Sequence, residues 1–186
     1  MEHYKKILRE RLTEKRYEHS LKVAEKAVYL AKKYDADVDK AELAGLLHDI
    51  TKQTDEQEQL GILEEAGVRL TALEWENKKL WHAISGAAYL RNTLKIDDED
   101  ILNAVRYHTT GRVGMSLLEK VVFLADMTSD DRIFDGVDEA RTLAEESLNK
   151  ALCLSAALSI EWLIVKKAAI APDTLGLYNE TVKFFS

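Results

Sequence analysis

Apolar positions along this chain recur at three- and four-residue spacings, and no segment sustains a period-two alternation. The pattern predicts helices throughout. Tyr17, Leu21, Ala24, Val28 and Ala31 form one stripe, and His19, Val23, Ala27 and Leu30 a second. A helix capped by Thr13 and running to about Tyr34 is therefore apolar on two faces and belongs in an interior. A shorter helix is expected before it, from about His3 to Leu12. Asp37 or Asp39 opens a third, ending near His48-Asp49. Thr54-Asp-Glu-Gln57 and Thr71-Ala-Leu-Glu74 have the form of capping boxes, with Gly67 as the stop between them. Further helices are expected over about 77–92, from Asp97 or Asp98 to His108, from Ser116 to about Asp126, over Val137 to Glu145, over Leu148 to Ile170, and from about Asp173 after the break at Pro172. Thr109-Thr-Gly-Arg112 reads as a turn, and the polar, acidic stretch Thr128 to Gly136 as a loop. The expectation is an all-α, single-domain helical bundle. Its core spans about residues 15–130, and C-terminal helices of about 137–186 pack on it.

Composition narrows this picture. The chain has 186 residues, of which 46% are hydrophobic and 32% charged, enough apolar content to fill a core. Eight glycines and one proline are too few for the turn-rich chain of a β-sandwich. Cys153 is the single cysteine, which leaves no internal disulfide and no CxxC site and fits a reducing cytosol. It lies in the apolar run Leu152-Cys-Leu154 and reads as a small core residue. The N-terminus lacks the apolar stretch of a signal peptide, and no apolar run reaches the ~18 residues of a membrane span. A cytoplasmic location is expected, without a membrane partner. With 26 basic against 33 acidic residues the net charge is −7, so nucleic acid is not expected as a partner either. A small anionic substrate would need positive charge supplied locally.

The histidines suggest the source. Of five, His3 lies in the N-terminal segment, where surface exposure is expected. His19, His48, His82 and His108 each fall on, or at the end of, a different buried-type helix. His48-Asp49 sits inside the apolar stretch Leu43 to Ile50, and Asp126 closes the apolar run Val121 to Asp126. A core that admits imidazoles and two carboxylates must compensate them. Divalent metal does so most economically, and mixed imidazole and carboxylate ligands suit Fe, Mn, Co, Ni or Zn better than Ca or Mg.

The order His19, His48-Asp49, Asp126 on helices resembles the HD superfamily of metal-dependent phosphohydrolases. Arg16-Tyr-Glu-His-Ser20, Leu46 to Lys52, Trp81 to Gly86, Ile101 to Gly111 and Leu124-Ala-Asp126 are similar to its YqeK branch, over nearly the whole chain from about Tyr4 to Tyr178. The resemblance implies symmetrical hydrolysis of diadenosine tetraphosphate. It implies that His19, His48, Asp49 and Asp126 hold one ion, that His82 and His108 hold a second, and that Asp49 bridges them. The implied cofactors are two divalent transition-metal ions, iron first, with manganese, cobalt or nickel compatible. Two such ions bring four positive charges, of which Asp49, Asp126 and a bridging hydroxide would remove three, leaving a local positive site in an acidic chain. Metal ions can activate water near neutral pH, polarise phosphoryl oxygens and orient in-line attack, so no protein nucleophile is needed. Asp49 and Lys52 are the expected catalytic residues, and Lys52, Thr109, Thr110, Gly111 and Arg132 the expected substrate contacts. Lys52 and Arg132 would neutralise phosphate charge, and the 109–111 turn would offer backbone N–H groups. Arg16 and Arg112 could assist.

The chain departs from the family pattern after Asp126. A Tyr-Ile-Glu-Pro-like run is common there, whereas this chain has Met127-Thr-Ser-Asp130, with Asp131-Arg132 following. Arg132 is kept and the Glu and Pro are not. Two alternatives stay open: a mononuclear HD-type nucleotidase, and a purine-nucleotide-binding regulatory module with little turnover. Trp75, Trp81 and Trp162 read as core or interface residues, Tyr107 as a residue that packs or stacks on a base, and apolar surface in the C-terminal half allows a homodimer.

Overall fold

The computed structural model describes residues 1–185. Among the described residues there are only helices, turns and loops, as the three- and four-residue spacing requires. The α-helices are α1 (Glu2–Arg11), α2 (Glu14–Tyr34), α3 (Val38–Leu47), α4 (Glu56–Glu65), α5 (Ala72–Glu76), α6 (Trp81–Asn92), α7 (Glu99–Tyr107), α8 (Leu117–Thr128), α9 (Val137–Glu146), α10 (Leu148–Val165) and α11 (Pro172–Thr181). Short 3₁₀ turns occupy Lys78–Leu80 and Val182–Phe185.

α2 is the central element, packed on α3 and on α8, while α7 lies between α6 and α8. Both of its apolar stripes are used: Tyr17, Val23, Ala24, Ala27, Leu30 and Ala31 are all buried. α3 approaches α2 closely because Gly45 faces it. A Cβ at Gly45 would lie 3.0 Å from the Ala27 Cβ and 3.2 Å from the Val23 carbonyl oxygen. This contact sets the end of α3, and with it His48-Asp49, against the face of α2 that carries His19. α9 and α11 each pack on α10, and α8 joins α9 and α10 to the rest through Val121, Val122, Phe123 and Leu124, all buried.

The helix punctuation holds at Asp37, Asp98, Thr71 and Ser116, whose side chains accept from the first-turn N–H groups, with full capping boxes at Thr71 and Ser116. Elsewhere the structure differs from the sequence expectation. Thr13 stands at the N-cap of α2 but its side chain makes no cap hydrogen bond, and the helix expected from about residue 77 opens as the 3₁₀ turn Lys78–Leu80, with α6 starting at Trp81. α4 is capped by Asp55, whose carboxylate accepts from Glu58 N. Thr54 lies one residue before that cap, and its hydroxyl accepts from the Arg11 guanidinium at 3.0 Å. α10 stops at Val165, not Ile170. Lys167 turns left-handed at φ 53°, and the Ala168 N–H returns to the Leu163 carbonyl. Trp81 is a core residue, as expected, but Trp75 and Trp162 are half exposed. Cys153 is buried, and burial pushes its thiol up.

Candidate metal centre

His19 projects from the second turn of α2. His48 and Asp49 follow the last residue of α3, His82 is the second residue of α6, His108 follows α7, and Asp126 lies near the end of α8. Five elements thus deliver six side chains, and all six are buried. The rings form a continuous series, with centroid separations of 5.3 Å (His19–His48), 5.0 Å (His48–His108) and 5.1 Å (His108–His82).

Tautomers follow from the acceptors each ring meets. His48 Nδ1 donates to the Gly45 carbonyl at 2.7 Å, His82 Nδ1 to the Lys79 carbonyl at 2.8 Å, and His108 Nδ1 to the Val105 carbonyl at 2.7 Å. A carbonyl oxygen can only accept, so Nδ1 carries the proton and each Nε2 presents a lone pair inward. His82 Nε2 and His108 Nε2 are 3.2 Å apart, and both lie near Asp49 Oδ1, at 3.2 and 3.6 Å. On the other side, His48 Nε2 lies 3.4 Å from Asp49 Oδ2 and 3.8 Å from Asp126 Oδ1, and His19 Nε2 lies 3.0 Å from Asp126 Oδ1. His48 Nε2 and Asp49 Oδ1 are buried with no hydrogen-bond partner. Acceptors converging in this way need positive charge between them.

A divalent ion meets that need, and the spacing fits one. Ligand atoms about 2.1 Å from one ion lie about 3.0–3.4 Å apart across an octahedral or tetrahedral edge, and at most about 4.2 Å apart. The separations above run from 3.0 Å (His19–Asp126) to 3.8 Å (His48–Asp126). Two triads, His19–His48–Asp126 and His48–Asp49–His108, each bring three donor atoms within 4.8 Å of one another.

The groups around the cluster supply cations. Arg16 Nη1 donates to Asp49 Oδ2 at 2.9 Å. Arg132 donates through Nε to the Asp126 carbonyl at 2.8 Å and through Nη2 to the Asp126 carboxylate. Lys52 Nζ is 3.0 Å from His82 Nε2 and 3.8 Å from Asp49 Oδ1. Burial disfavours the Asp49 anion, yet its neighbour His48, with His108 and His82, outweighs it and holds the carboxyl well below its usual range. Asp126 behaves likewise, with the Arg132 charge as the main counterweight to burial. Burial pulls His82 down to about 4 and lowers Lys52 from its usual value. For His48, burial opposes the proton, but Asp49 and Asp126 prevail and raise the pKa.

The remaining expected residues divide. Thr109 joins the cluster, its hydroxyl 3.1 Å from His108 Nε2 and 3.3 Å from His82 Nε2. Two donors of the turn beyond it are already engaged. The Gly111 N–H is bonded to the Tyr107 carbonyl at 2.8 Å, and the Thr110 hydroxyl donates to the Gly111 carbonyl at 2.9 Å. Arg112 is held away in a bidentate pair with buried Glu119, at 2.6 and 2.7 Å, and its guanidinium lies over the Tyr107 ring. Sequence reasoning underrated Arg16 and missed Asp131, whose Oδ2 is 2.8 Å from His19 Nδ1. Arg16 was recoverable, since it sits three residues before His19 on the same face of α2. Asp131 carried no such signal among the acidic residues of its loop.

An open cleft of about 510 Å³ adjoins the cluster at His19, with Lys15, Arg16 and Arg132 as cations and Ile133 and Phe134 as its apolar side. A larger groove of about 820 Å³, lined by Leu60, Leu63, Val68, Leu70 and Trp75, has Glu64 and Arg69 as its charged residues and contains none of the six clustered side chains.

Residues 16–131 match the HD domain family, and this chain belongs to it, a class of metal-dependent phosphohydrolases. The chain is 44% identical over 174 residues to the symmetrical bis(5'-nucleosyl)-tetraphosphatase of Halalkalibacterium halodurans, covering 94% of this chain and 92% of that one. It is 42% identical over 172 residues to the protein of the same name from Bacillus subtilis, covering 92% of each. In three dimensions it is similar to a crystal structure from Clostridium acetobutylicum, described as a predicted HD superfamily hydrolase involved in NAD metabolism. The TM-score is 0.94 at 39% identity, over 98% of this chain and 97% of the other. The enzyme is thus a hydrolase that takes divalent metal.

Proposed function

We propose that this chain cleaves diadenosine tetraphosphate symmetrically into two ADP at a site for two divalent transition-metal ions. The observation that carries the reading is the convergence of the His82 and His108 Nε2 lone pairs and Asp49 Oδ1 on one side, and of His19, His48 and Asp126 on the other. Asp49 turns Oδ2 toward His48 and Oδ1 toward His82 and His108, the placement a bridging carboxylate needs. His19, His48, Asp49 and Asp126 would hold one ion, and His82 and His108, with Asp49 shared, the other. The names of the two relatives support the substrate. Bound ions supply Lewis acidity and an activated water.

The protein's own groups supply the rest. Asp49 and Asp126 fix the ligand geometry and are themselves fixed by Arg16 and Arg132. A guanidinium has five N–H donors, so Arg16 and Arg132 keep donors for phosphate oxygens after serving their carboxylates. Lys52 and Lys15 add charge at the cluster and along the cleft, where phosphates not under attack and the departing diphosphate need neutralising. Phe134 and the 94% exposed Ile133 give the cleft an apolar side on which a base can rest.

The test combines metal analysis of the purified protein with product identification on diadenosine tetraphosphate. Two ions per chain and ADP as sole nucleotide product, both lost in Asp49→Ala, are expected. One ion per chain would remove the dinuclear assignment. ATP plus AMP would show that the wrong bond had been assigned.

A further inference from the structure

The loop after α8 carries Asp131 and Arg132 and reads in the sequence as a polar stretch with several acidic residues. The structure turns one of them inward. Asp131 Oδ2 accepts from His19 Nδ1 at 2.8 Å, while His19 Nε2 faces Asp126 at 3.0 Å. The other three clustered histidines have no carboxylate on Nδ1. Each donates to the carbonyl three residues earlier: Gly45, Lys79 and Val105.

Helix position explains the difference. His48 and His108 sit just past helix ends and His82 just inside one, where the preceding carbonyls belong to a terminal or 3₁₀ turn and are open to a side chain. His19 lies inside the continuous 21-residue α2, where the carbonyls of the preceding turn serve the helix ladder. Its Nδ1 proton must find an acceptor from elsewhere in the chain. We propose that Asp131 is a positioning residue: through His19 Nδ1–H it fixes the His19 tautomer and ring plane, so that Nε2 offers its lone pair beside Asp126 before any metal arrives.

The loop is built to hold that carboxylate in place. Arg141, on α9, donates to the carbonyls of Thr128 at 3.2 Å, Ser129 at 2.8 Å and Arg132 at 2.9 Å, so one guanidinium clamps the backbone on both sides of Asp131. Arg132 ties the same loop to Asp126. A carboxylate on the far nitrogen also makes the imidazole a stronger base toward a metal than a carbonyl does.

This inference rests on the metal-binding reading above, and the test separates the two. Metal-free protein, Asp131→Asn and Asp131→Ala are titrated with Mn²⁺, free ion being followed by electron paramagnetic resonance. In the same metal-free samples the His19 ring nitrogens are observed by ¹⁵N NMR. Wild type should show the Nδ1–H tautomer. Asp131→Ala should populate the Nε2–H tautomer and weaken Mn²⁺ binding about 10- to 100-fold. Asp131→Asn keeps an acceptor oxygen at the same reach and should fall between. Activity of Asp131→Ala on diadenosine tetraphosphate should return at saturating Mn²⁺. Unchanged Mn²⁺ affinity with a raised KM would place Asp131 on the substrate and overturn the proposal, as would unchanged tautomer and affinity in both variants. Absence of Mn²⁺ binding by wild type would overturn the metal reading and this inference with it.

Discussion

His82 provides a pH-dependent stability that can be measured without turnover. It is 3% exposed, and burial holds its ring neutral down to about pH 4 in the folded, metal-free protein. In the unfolded chain the same ring titrates near 6.5. Unfolding between these values therefore takes up a proton, so the stability contributed by the neutral ring is complete above pH 6.5 and lost as pH falls toward 4. The shift corresponds to about 3 kcal/mol in total, with a slope near 1.2 kcal/mol per pH unit at the middle of the window. The other shifted groups of the cluster act outside it. His48 is raised, so its contribution is complete below about 6.5 and fades as pH rises through its higher folded value. Asp49 and Asp126 are lowered, so theirs is complete above about 3.9 and fades only in stronger acid. Urea unfolding of chelator-treated protein at half-unit steps from pH 6.5 to 4.5 should show the slope in wild type. His82→Gln should lose most of it, and the Tm of the wild type should drop by ~7 °C more than that of the variant across the window. Equal slopes in the two proteins would refute the assignment of this window to His82.

Three further outcomes are expected. Mn²⁺ at a hundred times its Kd should stabilise the metal-free protein by about 2.7 kcal/mol and raise Tm by roughly 5–10 °C, and a calorimetric scan without any rise would contradict the acceptor cluster as a metal site. Gly111→Ala should cost about 1–3 kcal/mol in urea unfolding, since residue 111 has φ 61° and a Cβ there would lie 2.4 Å from Leu177 Cδ2; a loss below 0.5 kcal/mol, on the order of a neutral surface change, would mean the turn repacks freely. Arg141→Gln should release the loop that holds Asp131 and weaken Mn²⁺ binding in the same direction as Asp131→Ala, so full Mn²⁺ affinity in that variant would show the loop to be self-supporting.

What could be read from the sequence, and what could not, divides by the range of the interaction. Helix starts depend on a cap and the three residues after it, so Thr71 and Ser116 could be read directly and Asp37 and Asp98 as one of two neighbouring candidates each. The cap of α4 could not, because Thr54 and Asp55 are both capping residue types: Asp55 takes the cap, while Thr54 just before it accepts from Arg11, 43 positions away. The six clustered residues were legible for a related reason. A histidine or aspartate inside an apolar helical run is costly unless compensated, so its position in a single segment already raises the question that the cluster answers. Arg112 shows the reverse case. As an arginine beside an expected phosphate turn it could have served the substrate, but Glu119, 1% exposed, holds both arms of its guanidinium.

Asp131 marks the limit of such reasoning. Its partner His19 lies 112 positions away, and nothing in Asp130, Asp131 and Asp135 distinguishes the one that turns inward. Backbone sets Asp135 apart, since Arg141 clamps carbonyls on both sides of residues 130 and 131 and not beyond Arg132; of those two, Asp131 is the one whose carboxylate reaches His19. The stretch of loop from Thr128 to Arg132 is thus where the outer support of the cluster is decided. A loop whose own residues hold no metal can therefore change how tightly metal is held, through the one clustered histidine whose helix gives its Nδ1 no acceptor.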